Sequence, residues 1–419
     1  MTCRRSARCD VTGVGRHGLS VSGRRGQAAS LTIAVRRFLL AIDREACKRT
    51  ETGYWEHDPE RGMLFTPGPT AVPPSVREAM AEPQPNPDLD PAFRDRYRDL
   101  CAKLARVYDT DHDVVVLGGE GILGLEAAIA SLVDPGDRVL CVSNGLYGDG
   151  FADFVESYDG DPELVSGPFD DGYDLDAVET ALEDAAAAGE PFGLATMVHC
   201  ETPTGTLNDL EPVLDLLDEY DVLSVVDAVS SLGGTSVPTE RIDVCLGGSQ
   251  KCFSAPPGLT TAAISDRAWE HMESREPTSL YTNFLPWRDV SDGFPYTHLD
   301  ANVAALDAAV DLVLDEGVEG VYARHEAAAE RCRERGAELG LDLYPDAERA
   351  SPTVTAFSLP GDAARVQRRV AADEDVVLAT GLGEMADDIL RVGHMGYNAD
   401  VEKVDRAMDA VEAVLDGSH

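Results

Sequence analysis

Among the 419 residues there are four lysines, Lys48, Lys103, Lys251 and Lys403. Lys103 and Lys403 stand beside charged neighbours in helix-like segments, as solvated lysines do. Lys251 lies instead in Gly-Gly-Ser-Gln-Lys-Cys-Phe-Ser-Ala-Pro-Pro-Gly-Leu (247–259), among small and apolar residues where an ammonium has little to gain. Partial desolvation disfavours the charged form and lowers an amine's pKa. A neutral amine of that kind can condense with an aldehyde. The plainer reading is a structural lysine paired with one of the many acids.

Four further stretches bear on that choice. Leu117-Gly118-Gly119-Glu120-Gly121-Ile122 is a glycine-rich turn between a predicted strand and a predicted helix. Free N–H groups at such a helix start suit an anion such as a phosphate. No Gly-Lys-Ser/Thr ending follows, which excludes a nucleoside-triphosphate P-loop. Tyr147, in Asn144-Gly145-Leu146-Tyr147-Gly148, falls just past a predicted strand, where an aromatic ring either stacks on a planar ligand or simply packs. Asp227 directly follows three core-type residues, Ser224-Val225-Val226. A buried acid needs a positive or hydrogen-bonding partner; a protonated ring nitrogen would serve, and so would a capped turn. In Glu201-Thr202-Pro203-Thr204-Gly205 the hydroxyls either bind a phenolic or phosphate oxygen or shape the turn.

The elements that must position these residues alternate. Short apolar runs at Val114–Leu117, Arg138–Val142, Leu194–Val198, Leu223–Val226 and Thr261–Ile264 predict buried strands. Between them, Ile122–Leu132, Leu175–Ala188 and Leu210–Glu219 have helical apolar spacing. That alternation predicts an α/β layer with a mainly parallel sheet, whose ligands sit at the carboxyl ends of the strands. Helices are expected at Asn302–Leu314 and Tyr322–Leu339, then strands at Thr353–Ser358, Val376–Ala379 and Ile389–Val392 with a helix near Ala363–Ala371. The closing helix should present Val401, Val404, Met408, Val411 and Leu415 on one face. The expected division is a large α/β domain over 63–314 and a smaller α+β domain over 315–419.

Charge divides the chain at the same place where periodicity begins. Residues 1–62 hold 12 Lys/Arg and 7 Asp/Glu, whereas the rest hold 23 and 69. Residues 1–62 are therefore expected to be a disordered extension or to precede the true start at Met63. The overall charge of −41 opposes nucleic acid and anionic membranes as partners. With so few lysines it suggests a halophilic protein, whose self-repulsion is screened over a few ångströms by concentrated salt. Nine scattered cysteines form no C-x-x-C pair or zinc spacing, so reduced thiols in a cytoplasm are expected and no metal.

The pieces Phe-Thr-Pro-Gly-Pro-Thr (65–70), Gly-Leu-Glu-Ala-Ala (124–128), Glu-Thr-Pro-Thr-Gly (201–205), Val-Asp-Ala-Val-Ser-Ser-Leu-Gly-Gly (226–234), Gly-Ser-Gln-Lys (248–251), Pro-Pro-Gly (256–258) and Leu-Arg-Val-Gly-His-Met-Gly (390–396) occur in one order. In these the chain resembles fold type I pyridoxal-phosphate enzymes, specifically class V aminotransferases of the alanine–glyoxylate and serine–pyruvate type, from Met63 nearly to the end. The resemblance implies pyridoxal 5'-phosphate as cofactor and Lys251 as the residue bonded to it. It implies that Gly121 and Ile122 give backbone N–H groups to the phosphate, that Gln250 reaches it, and that Thr297 reaches the phosphate of a partner subunit in a homodimer. Tyr147 would stack on the pyridine face and Val229 pack on the other. Thr202 would contact the ring's oxygen side, Asp227 would hold the ring nitrogen protonated, and Arg391 would bind the substrate carboxylate as a fork.

Two positions depart from the family's pattern. Phe294 stands where many relatives have tyrosine, with Tyr296 the nearest substitute, and Glu120 stands where a small polar residue is common. An acid beside a phosphate needs its side chain turned away. The implied reaction is a ping-pong transamination from alanine or serine to glyoxylate or pyruvate. Aspartate is the alternative donor, although a second arginine for its extra carboxylate is not obvious. A lyase such as a cysteine desulfurase is a further alternative, disfavoured because Gln250 rather than His precedes Lys251 and no Gly/Ser-rich late loop carries a cysteine. A non-catalytic ligand-binding or regulatory module on the same fold is the last.

Overall fold

A computed structural model describes residues 62–417 apart from 276 and 278. The expectation for residues 1–62 thus falls almost wholly outside the described residues. The described residues open with a two-residue strand, β1 (Met63–Leu64), and the helices α1 (Pro74–Ala81) and α2 (Pro91–Tyr108). Asp90 caps α2 by accepting the Ala92 N–H, and Pro91 at the first helical position costs no hydrogen bond there.

Next come β2 (Asp113–Gly118), α3 (Gly121–Leu132), β3 (Arg138–Ser143), α4 (Leu146–Ser157), β4 (Asp161–Ser166), α5 (Leu175–Ala188) and β5 (Leu194–Val198). A small hairpin of β6 (Cys200–Glu201) and β7 (Thr206–Leu207) precedes α6 (Glu211–Glu219), β8 (Leu223–Asp227), β9 (Val244–Gly248) and β10 (Leu259–Ile264). The seven-stranded sheet runs β2-β10-β9-β8-β5-β3-β4. Only β10 is antiparallel to its neighbours, so the sheet is mainly parallel as expected. Strands β5, β8, β9 and β10 are buried along their whole length, which is why three of them appear in sequence as unbroken apolar runs. From β3 the chain steps outward to β4, then returns past β3 to β5 and continues in the opposite direction. That reversal opens a crevice at the carboxyl ends of β3 and β5, the place where such sheets take ligands.

Helices α7 (Asp266–Glu273), α8 (Asp300–Glu316) and α9 (Val318–Glu338) lead to a second, antiparallel sheet. It is built from β11 (Asp342–Leu343), β12 (Thr355–Ser358), β14 (Ala379–Thr380) and β15 (Ile389–Val392), in the order β11-β12-β15-β14. The helices α10 (Ala363–Glu374) and α11 (Val401–Asp416) cover it. Val404, Met408 and Val411 of the expected apolar face are fully buried, while Val401 at the helix start is exposed.

The two sheets have separate hydrophobic cores. The first described strand joins the second. Strand β1 pairs in parallel with β13 (Val376–Val377), and Phe65 packs among Phe357, Val392 and Met408. Residues 65–70 then cross to the first core.

Candidate active site

Lys251 follows β9 and its Nζ donates to the Pro67 carbonyl oxygen at 2.9 Å. The segment 67–70 lies directly over the lysine turn. Thr70 N–H donates to the Gln250 oxygen at 3.1 Å, and the Thr70 hydroxyl to the Lys251 oxygen at 3.1 Å. Gly68 has φ +121°, and a Cβ there would stand 2.4 Å from the Lys251 side chain, so only glycine fits. Burial lowers the Lys251 amine to about 8; the Arg391 charge adds to this and Asp227 opposes it. That is the poised amine expected from the residue's surroundings.

Asp227 ends β8 and is 7% exposed. Its Oδ1 accepts the Val229 N–H at 2.8 Å. Burial pushes its carboxyl up to about 6, the Val229 amide and Lys251 pull it down, and the charge of Glu120 pushes it up again. Both groups line one cavity of about 270 Å³, together with Gly121, Ile122, Tyr147, Thr202, Val229 and Gln250. Eight of the ten residues singled out in the sequence thus converge. Gly68, Pro69, Leu125, Ser230 and Pro257 complete the lining with Glu120. A larger, open hollow of about 610 Å³ beside His199 and Arg241 contains none of these groups.

The helix α3 starts at the cavity with Glu120 as its cap residue, and that side chain makes no capping bond. The first amides of a helix have no internal partner, so Gly121 and Ile122 present theirs to the cavity. A Cβ on Gly121 would meet Val229 at 2.9 Å, which ties the helix start to the residue packed behind it. The Thr202 hydroxyl makes a short hydrogen bond with that of Ser230.

Two of the ten stand apart. Arg391, on β15, is buried behind Thr202. Its Nη1 donates to the Thr202 oxygen at 3.1 Å and its Nε to the Thr380 oxygen at 2.5 Å, leaving Nη2 with no protein partner among the described residues. Burial lowers its pKa to about 10, so the guanidinium stays charged at neutral pH. Thr297 is exposed, outside the cavity, and donates to Asp88 at 2.9 Å. Phe294 packs edge-on to Phe93 and Tyr97, with ring centroids 5.4 Å and 5.0 Å away. The Tyr296 hydroxyl accepts the Gly118 N–H at 3.3 Å.

Sequence reasoning overlooked Glu201, whose turn motif reads as backbone shaping. The side chain is fully buried and accepts the Gly148 N–H at 2.8 Å and the Tyr147 N–H at 3.3 Å. A Cβ on Gly145 would lie 2.3 Å from its carboxyl carbon. Glu201 therefore fixes the first turn of α4 and with it the Tyr147 ring. Burial raises its carboxyl to about 8 from an ordinary 4.5, against the pull of the two amides. Such a group favours folding fully only below its unfolded pKa, and that contribution is lost as pH rises through about 8. Glu201→Gln is expected to gain thermal stability relative to wild type as pH rises from about 5 to about 8. A melting-point difference that is flat across this window would show that Glu201 is ionised throughout.

The donor set fits a pyridoxal group. A buried lysine with a depressed pKa, a buried carboxylate with one free oxygen, a ring at the cavity wall and a bare helix start surround one space. The one discordant member is Glu120. Its side chain is not turned away but lines the cavity and accepts from Gln250 Nε2 at 3.1 Å.

The description of the class-V aminotransferases matches residues 63–406. A pyridoxamine–pyruvate transaminase of Mesorhizobium japonicum is 33% identical, covering 83% of this chain and 89% of that protein. An L-aspartate–glyoxylate aminotransferase of Paracoccus denitrificans is 31% identical over 80% of this chain and 87% of its own length. The crystal structure of an alanine–glyoxylate aminotransferase from Nostoc superposes with a TM-score of 0.80 at 31% identity, covering 84% of this chain and 95% of that one. With fold and sequence in agreement, the chain belongs to the class-V aminotransferases and is a pyridoxal-phosphate-dependent transaminase of fold type I.

Proposed function

We propose that the enzyme exchanges nitrogen between a small amino acid, alanine or serine, and glyoxylate or pyruvate. The observation that carries this is the meeting of Lys251 and Asp227 in one cavity with Arg391 immediately behind it. Bound pyridoxal phosphate supplies a conjugated ring that takes up the electron pair left when the substrate Cα loses its proton. Lys251 would hold the group through its amine and would carry that proton, burial having lowered the amine toward neutrality, to about 8. Asp227 would use its free oxygen to keep the ring nitrogen protonated. Tyr147 and Val229 would hold the ring between them, and Thr202 would contact its oxygen. The Gly121 and Ile122 amides and Gln250 would hold the phosphate.

Arg391 holds the α-carboxylate through the Nη2 side of its guanidinium. Arg391→Lys keeps the charge but not the fork. Losing one hydrogen bond to a charged group, about 1.5–3 kcal/mol, should raise KM for both amino and oxo acids about 10–100-fold. An unchanged KM for every carboxylate substrate would remove Arg391 from this role. Aspartate is the second reading, supported by the Paracoccus relative's name. A screen of amino acids and oxo acids for stoichiometric nitrogen transfer separates the two, and release of a keto acid without amine transfer would point to a lyase. Against a desulfurase stand the cysteines nearest the lysine. Cys200 and Cys252 are both buried, with thiols pushed up by burial, Cys200 to about 11.

The active unit we infer is a homodimer. Leu89, Leu280, Tyr281 and Leu299 are exposed apolar residues around Thr297, with Tyr281 stacked on Tyr296 at 4.3 Å. In that assembly Thr297 reaches the site of the second copy. We place the enzyme, on its acidic surface and unpaired cysteines, in a salty cytoplasm. Among the described residues no helix is long and apolar enough to cross a membrane.

A further inference from the structure

Two hydroxyls, those of Thr202 and Ser230, stand in the cavity wall. They are hydrogen-bonded to each other, and neither side chain has a further protein partner among the described residues. Thr202 lies in the turn between β6 and β7, which Gly205 N–H closes by donating to the Glu201 oxygen at 2.8 Å. Ser230 lies just past β8, in a turn where Ser231 N–H donates to the Ala228 oxygen at 3.1 Å. Both backbones are held, and the hydroxyl protons are left to choose a direction.

A row of buried donors braces Ser230 from behind. Thr353, just before β12, donates its hydroxyl to the Ser230 carbonyl oxygen at 2.8 Å. With its one proton spent there, Thr353 Oγ1 accepts from the Ser351 hydroxyl at 3.0 Å. Ser351 in turn accepts the Cys200 thiol at 3.3 Å. Cys200 belongs to the same turn as Thr202, so these bonds close a ring that joins both sheets. Its five members, Cys200, Thr202, Ser230, Ser351 and Thr353, are at most 4% exposed. The Thr202 carbonyl oxygen, meanwhile, accepts Arg391 Nη1.

The bond between the two hydroxyls uses one of their two protons. If Thr202 donates to Ser230, Thr202 offers a ligand only an acceptor. If Ser230 donates to Thr202, the Thr202 proton is left for a ligand. The ring oxygen of pyridoxal phosphate is an acceptor when it carries its charge, and it calls for the second arrangement. We propose that Ser230 is a positioning residue for that ring oxygen, donating its hydroxyl proton to Thr202 and so turning the Thr202 proton toward the cofactor. The proposal rests on the contact of Thr202 with the ring oxygen given above and adds the residue that orients it. Hydrogen bonds in a row polarise one another, so Thr202 is the stronger donor for accepting from Ser230. A donor to the ring oxygen favours its charged form and lowers the pH at which the lysine-bound cofactor gives up its proton.

The test is a pH titration of the absorbance of the full chain loaded with pyridoxal phosphate, in wild type, Ser230→Ala, Thr202→Val and the double variant. Thr202→Val should raise the midpoint by about one unit and Ser230→Ala by about half a unit. The double variant should titrate with Thr202→Val, because Ser230 has nothing to act through once the Thr202 hydroxyl is gone. A serine that only packs would change the melting temperature and leave the midpoint in place. An unmoved midpoint in Ser230→Ala therefore overturns the proposal, as does a Ser230→Ala shift of undiminished size in the Thr202→Val background. An unmoved midpoint in Thr202→Val overturns the underlying contact of Thr202 with the ring oxygen, and the proposal with it. Circular dichroism checks the fold of each variant. If Ser230→Ala does not fold, Ser230→Cys takes its place, since a thiol of nearly the same shape is a weak donor and should shift the midpoint the same way.

Discussion

Lys251→Ala should fold normally and yet transfer no measurable nitrogen. The side chain has two proposed roles, and both end with it. Loss of the proton carrier alone costs about 10²–10⁴-fold, and loss of the covalent anchor adds to that. The absorbance that accompanies bonding of pyridoxal to the protein should vanish. Lys251→Arg should not rescue turnover, because a guanidinium neither condenses nor gives up its proton near neutrality. Single-turnover transfer, measured by amino acid formed per site, checks both variants. Ordinary turnover in either would take Lys251 out of the chemistry, whatever its surroundings.

Asp227→Asn tests the other end of the ring with almost no change in shape. The asparagine oxygen can still accept the Val229 N–H that Asp227 Oδ1 accepts now. What is lost is the charge. Withdrawing one electrostatic partner from a developing charge costs about 10²–10³-fold in kcat, and KM should barely move if the interaction belongs to the transition state. A second readout follows from geometry. Asp227 holds the Lys251 amine up against burial and the Arg391 charge. In the variant the Lys251 pKa must fall, so the pH dependence of pyridoxal phosphate bonding to the cofactor-free protein moves to lower pH. An unchanged kcat with an unmoved profile would refute the assignment.

The parts of the fold that were legible in sequence are those whose burial is continuous. The strands β5 and β8 lie inside the sheet and show as apolar runs within a residue of their observed ends. Strand β4 escaped because it is an edge strand with exposed polar residues, held by its parallel pairing to β3. Strand β9 escaped because its run ends in two glycines. Helix α4 is hidden for a different reason. Its glycines read as a loop, yet a Cβ on Gly145 would strike Glu201 and one on Gly148 would lie 2.5 Å from the Ser143 hydroxyl. They mark close packing rather than a turn.

The site was legible where a residue's own neighbours betray it. Lys251 among small residues and Asp227 after three buried ones carry their anomaly in the local string. Glu201 does not, because its partners lie more than fifty positions earlier. Glu120 shows as an oddity in sequence, but only its contact with Gln250 tells which way it points.

The short strand β1 has a mechanical consequence. It is zipped to β13 at Met63 and Leu64, and three residues later Pro67 accepts the hydrogen bond from Lys251. A tether that short has almost no slack. If the four-stranded sheet, which carries Arg391, rocks away from the seven-stranded one, either the β1–β13 zipper opens or Pro67 is drawn off the amine. The lysine thus feels the position of the arginine proposed to seat the substrate, through the backbone and with no side chain as intermediary.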